Sequence, residues 1–130
     1  MKQFILCLIA LSTLLFTAAC SRKIQATTAT LERNIRVDYE AYLQDGGDFF
    51  EFNSQKEFTS KLSGNNARKV RYLVLTTYPL DKDGEIIDEW GRPLQIKRPE
   101  KTKLEIRSAG PDGKFMTPDD IVTVHPKVKK

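Results

Sequence analysis

Three aspartates near the end of the chain, Asp112, Asp119 and Asp120, sit in the segment GPDGKFMTPDD, Gly110 to Asp120. Asp112 occupies a Gly-Pro-Asp-Gly turn and Pro118 precedes the other two, so the chain can fold back and bring their carboxylates to one point. Such a cluster repels itself unless a cation neutralises it. Oxygen donors with no His or Cys beside them suit a hard ion, and Ca²⁺ takes roughly six to eight oxygens in a flexible cage. Side chains alone do not fill that shell, so backbone carbonyls, that of Ala109 first among them, and water would complete it. Pro111 and Pro118 reduce the entropy of closing the loop. By spacing alone, a calcium site and a plain solvated acidic turn both stand.

Other candidate chemistry is thin. His125 is the only histidine and is followed by Pro126 close to the chain terminus, and the sequence holds no nucleophile elbow. Asp88 and Glu89 are adjacent carboxylates, but sequence neighbours in a loop say little about acid and base roles. The run DKDG, Asp81 to Gly84, imitates part of a calcium loop, yet Trp90 falls where the closing Glu ligand belongs. An Asp-Gly hairpin turn accounts for it better. A non-catalytic protein with no identified small-molecule substrate is therefore expected.

The elements that would hold these groups fit one domain. At 130 residues, with 40% hydrophobic and 29% charged residues, the chain has room for a single core and the composition of a globular protein. The net charge of +4 is scattered among acidic residues, and only Lys127 to Lys130 form a basic cluster, without an aromatic platform beside it. Nucleic acid is not an expected partner.

Ile24, Leu31, Ile35, Tyr39 and Tyr42 recur at helical spacing, with Glu32, Arg33, Arg36, Asp38 and Glu40 placed largely on the other side. This predicts a long amphipathic helix that stops at Asp45, Gly46 and Gly47. Ser54 and Glu57 form a capping box for a short second helix ending before Gly64, with Phe58 and Leu62 on its inner side. Beyond Lys69 the period becomes two, and short strands are expected around 70–75, 85–87, 94–97, 103–107 and 121–124. The predicted fold is α+β: a long N-terminal helix packed on an antiparallel sheet of four to five short strands.

Two separated motifs carry a resemblance. DEWGRPL, Asp88 to Leu94, and after one strand IRSAGPDGKFMTPDDI, Ile106 to Ile121, resemble the C-terminal signature of the major pseudopilin of bacterial type II secretion systems, general secretion pathway protein G. That family carries an Asp-x-Trp-Gly-x-Pro loop followed by a Ser-x-Gly-x-Asp-Gly turn with a paired Asp downstream. More loosely, Ala29 to Gly47 is similar to the exposed part of a pilin-type helix. The resemblance implies a pilin-like headpiece in which the loop binds Ca²⁺ and is ordered by it, with Asp112, Asp119 and Asp120 as carboxylate ligands and Ala109 giving a carbonyl. Trp90, Gly91, Pro93, Gly110 and Gly113 would be structural. Secretion-system proteins or other pseudopilins would be the partners.

The N-terminus departs from that pattern. Lys2, an apolar run from Phe4 to Phe16 and the small residues Thr17, Ala18 and Ala19 form an export signal that ends at Cys20. The apolar run is too short for a full membrane span, and no leader Gly with a Glu in fifth place follows. Ala18 and Ala19 before Cys20 resemble a bacterial lipobox, in which the thiol is lipidated, while Thr17 and Ala19 also suit ordinary signal peptidase. With Cys7 removed in the leader, Cys20 stays the lone cysteine of an exported chain.

The expected organisation is a signal peptide (1–19), a tether (20–28), a pseudopilin-like domain (29–126) and a basic tail (127–130). The leading expectation is a calcium-binding envelope protein held through Cys20 on the periplasmic side of a membrane, the outer membrane being favoured by Ser21. A true pseudopilus subunit with a degenerate stem, and a small periplasmic binding protein or enzyme on the same fold, are the alternatives.

Overall fold

The computed structural model describes residues 27–101 and 103–125. The expected signal peptide, Cys20, nearly all of the tether and the basic tail lie outside them. Helix α1 covers residues 27–44. Its inward stripe is Thr28, Glu32, Ile35, Tyr39 and Tyr42, a spacing of three and four that keeps one face against the rest of the chain. Glu32 therefore belongs to the buried stripe and not to the polar side where the sequence pattern places it. Gly47 N–H closes the helix on Tyr42 O at 2.9 Å.

Helix α2, Gln55–Leu62, starts where expected. The Ser54 hydroxyl accepts from Glu57 N–H, and the Glu57 carboxylate reaches back to Asn53 N–H, one residue beyond the usual capping-box donor. Phe58 and Leu62 point into the core. There they join Ile35, Tyr39, Tyr42, Leu73, Ile86, Leu94, Ile96, Leu104 and Ile106. Rings dominate this cluster: Tyr39, Phe50, Phe52 and Phe58 lie at centroid separations of 5.1 to 6.3 Å.

The sheet corrects the predicted architecture. It has three antiparallel strands in the order β1-β2-β3, with β1 Gln95–Glu100, β2 Lys103–Ser108 and β3 Ile121–His125, so the expected long helix on a four- to five-stranded sheet is not formed. Alternation places Leu104, Ile106 and Ser108 inward on β2, while Glu105 and Arg107 face outward. The register slips between Lys97 and Glu100, where Pro99 has no N–H to give the ladder.

Two predicted strands are absent for identifiable reasons. In 70–75 the side chains do alternate, but Val70 and Val74 are exposed and Leu73 is fully buried. The backbone there bonds to α2 instead of to a neighbouring strand: Tyr72 N–H and Leu73 N–H both reach Leu62 O, and Ser63 Oγ donates to Leu73 O. A 3₁₀ turn, Leu75–Thr77, follows. Tyr72 and Tyr78 donate their hydroxyls to Asp45 and Asp38 of the α1 region, which holds the segment across the helix. Residues 80–93 form only isolated bridges, Leu80 with Ile86 and Ile87 with Pro93, around the expected Asp81–Gly84 turn.

Gln55 replaces a strand as the partner of this segment. Its side chain accepts from Ile86 N–H at 2.5 Å and donates to Ile86 O and Leu94 O at 3.0 and 2.9 Å. Ile86 O also receives Leu94 N–H at 3.0 Å, but stranding the buried Ile86 N–H and Leu94 O costs about 1–3 kcal/mol each. We expect Gln55→Ala to lower stability by about 2–4 kcal/mol, measured by urea unfolding, whereas the exposed neighbour substitution Lys56→Ala changes it by less than about 0.5 kcal/mol.

Candidate functional site

β2 and β3 are joined by residues 109–120, and the pair Ser108↔Ile121 closes the base of that loop. Ala109 is buried there. At Gly110 the backbone turns at φ +61°, and a Cβ would stand 2.3 Å from Asp119 O, so the returning chain leaves space for glycine alone. This close approach brings Asp112 opposite Asp119. What meets is the Asp112 amide, which donates to Asp119 Oδ2 at 3.1 Å, and not its carboxylate. Asp112 Oδ1 instead accepts from Lys114 N–H at 2.8 Å. Among the described residues no three His, Cys, Asp or Glu side chains form a ready-made metal group.

The oxygens converge on Thr117, which sequence reasoning overlooked. Its Oγ1 lies 2.5 Å from Asp119 Oδ1, 3.1 Å from Lys114 O and 3.3 Å from Asp120 Oδ1. A hydroxyl has one proton, so it satisfies one of these oxygens at a time. The only signal in the sequence is a hydroxyl residue two and three positions before the paired aspartates, a spacing that a general calcium template does not highlight.

Electrostatics keep both aspartates ionised. The Thr117 hydroxyl, then the Asp112 amide, hold the Asp119 carboxyl below the usual carboxylate range. For Asp120, burial pushes upward but is outweighed by the Arg107 guanidinium and by backbone donors, which leave it below that range. Arg107 Nη1 sits 2.6 Å from Asp120 Oδ2, and Met116 N–H donates to the same oxygen at 2.8 Å. Asp120 Oδ1 thus turns towards Thr117 while Oδ2 ties the loop to β2.

The two motifs noted in the sequence meet physically. Asp88 is buried, accepting from Trp90 N–H and Arg92 N–H on Oδ1, both at 3.0 Å, and from the Ser108 hydroxyl on Oδ2 at 2.6 Å. Ser108 Oγ in turn accepts from Gly110 N–H at 3.1 Å. Arg92 Nη1 donates to Gly110 O at 2.6 Å, and its guanidinium lies where a Gly113 Cβ would be, 2.7 Å from that position. Gly113 is therefore needed for Arg92 to dock. Gly91 and Pro93 shape the 88–93 turn, Gly91 N–H bonding to Asp88 O and Pro93 bridging Ile87. Trp90 is half-buried and outside the core cluster, so its backbone, more than its indole, serves the motif.

His125, expected near a loose terminus, is buried at the end of β3 against Tyr39, with Nε2 3.2 Å from Glu40 Oε1. No helix among the described residues is long and apolar enough to cross a membrane. No family model, curated protein or solved structure matches the chain.

Gly110→Ala puts a side chain at positive φ against the Asp119 carbonyl. Its expected cost is about 3 kcal/mol or more, read as a drop in the thermal midpoint, while Gly84→Ala, whose Cβ would meet nothing within 4 Å, costs only its backbone strain, about 1 kcal/mol.

Proposed function

We propose that the protein is a non-catalytic, calcium-binding module of the cell envelope, related through its C-terminal loop to type II secretion pseudopilins and tethered to a membrane by lipidated Cys20. One observation carries the calcium reading: Lys114 O, Asp119 Oδ1 and Asp120 Oδ1 crowd around a Thr117 oxygen with a single proton to share. Oxygens left facing one another without protons repel, and two of these belong to ionised carboxylates. A hard cation turns that repulsion into attraction. Asp119, Asp120, Thr117 and the Lys114 carbonyl would hold it, with the Asp112 carboxylate and the Ala109 carbonyl as the further donors the family resemblance implies.

Bound calcium supplies charge neutralisation and a fixed geometry for the loop; no reaction is implied. The consequence is mechanical. Arg107, Arg92 and the Asp88–Ser108 bond already fasten the loop base to β2 and to the 88–93 turn. Ordering its tip would make loop, sheet and turn one rigid surface for other envelope proteins to recognise.

At a calcium concentration about a hundredfold above the dissociation constant, binding adds roughly 2.7 kcal/mol of stability. The thermal midpoint of the wild type should rise by several degrees in calcium and fall back in chelator. Asp119→Ala and Thr117→Ala should remove the difference, and a wild type indifferent to chelator leaves a plain acidic turn. The anchor has a separate readout: intact-mass spectrometry of protein purified from membranes should show diacylglyceryl on an N-terminal Cys20, and processing elsewhere without lipid sinks the tether.

A further inference from the structure

Glu32 is the one carboxylate of the α1 stripe and is completely buried, and neither of its carboxylate oxygens has a hydrogen-bond partner. It looks onto the inner face of the sheet. Ser108 on β2 and Thr123 on β3 are its polar neighbours, near enough to favour its charge a little but not placed to bond it well. Asp88, from the turn before β1, repels its charged form, and Arg107, reaching from the other side of β2, attracts it weakly. The remaining nearby charges are engaged elsewhere. Arg36, one turn along α1, and His125 on β3 both face Glu40, at 3.8 and 3.2 Å.

A carboxylate in such surroundings has lost water and gained no well-placed donor, whereas a neutral carboxyl tolerates the same place. The packing downstream is apolar and firm, through Ile35, Tyr39 and Tyr42. Upstream, Thr28 Oγ1 accepts from Glu89 N–H at a long 3.4 Å. Leu31 packs only partly buried at the margin of the cluster, so Glu32 lies where α1 passes from the firm core of that cluster to its margin.

We infer that Glu32 is a protonation latch: α1 docks its first turns on the sheet with Glu32 as a neutral acid, and loss of that proton frees residues 27–32, where the chain leaves for its N-terminal segment. This goes beyond the calcium reading and does not rest on it. Burial, the dominant cause, pushes the Glu32 carboxyl up to about 8 from an ordinary 4.5; Thr123 and Ser108 pull it back in part, and the opposed charges of Asp88 and Arg107 matter less. Between those two values the folded chain holds a proton that the unfolded chain has released. Stability therefore falls as pH rises through that window and levels off above it, where Glu32 ionises in the folded state too.

The experiment uses the full-length chain. A ¹³C NMR titration of the Glu side chains should show one carboxyl, absent in Glu32→Gln, with a midpoint far above the ordinary carboxylate range. Amide exchange, corrected for its intrinsic pH dependence, should lose roughly a hundredfold of protection in residues 28–33 between about pH 6 and about pH 9, while residues 35–42 keep theirs. Glu32→Gln should abolish the difference. An ordinary midpoint for Glu32, or equal loss of protection in wild type and Glu32→Gln, overturns the latch, and if Glu32→Gln fails to fold the wild-type exchange and the titration decide alone.

Discussion

The hydrogen bond from the Ser108 hydroxyl to Asp88, at 2.6 Å, is the buried link between the end of β2 and the 88–93 turn. Ser108 is the last residue of β2, and its oxygen also receives Gly110 N–H. Asp88 meanwhile closes its own turn on Trp90 and Arg92. Bonds to a buried ionisable acceptor contribute about 1.5–3 kcal/mol each when fully satisfied, and removing one partner strands the other. The β2–β3 loop, the 88–93 turn and the inner face of the sheet are therefore fixed together or not at all. Arg92 completes the joint from outside by capping Gly110 O.

Charges are sorted by the face of the sheet on which they fall. Outward, Arg107 pairs with Glu105 and with the almost covered Asp120, so the desolvation of these ions is offset by their mutual attraction and by the Met116 N–H bond to Asp120. Inward, Asp88 gathers donors from its own turn and from Ser108, but Glu32 finds none. Two acids on one inner face thus have opposite circumstances. Asp88 is a structural acceptor, and Glu32 is a residue whose protonation the packing has to accommodate.

Much of the local structure was legible in advance. The Ser54 cap, the Asp-Gly turn at 81–84 and the alternation of β1, β2 and β3 rest on chemistry within a few residues, and each lies on its expected segment. The 70–75 strand failed because alternation reports which side chains face apart, not which backbone partners exist. Leu62 O and Ser63 Oγ answered the backbone there, and Gln55 did the same for Ile86. Glu32 failed for a related reason: helical periodicity weighs it as charged, while its position four residues from Thr28 and three from Ile35 puts it on the covered face.

The sequence by itself determined the acidic loop, its glycines and prolines, and the order of the two motifs, because these depend on residue type and short spacing. Only the tertiary structure decided which oxygens meet. Asp119 and Asp120 converge on Thr117 and Lys114 O, while Asp112 offers its amide to Asp119 and its carboxylate to Lys114 N–H. Ser108, Arg92 and Arg107 entered the same way, through contacts spanning up to 20 residues of chain. Such contacts are set by the hairpin register and by the clearance at Gly110, quantities of three-dimensional closure that no linear spacing encodes.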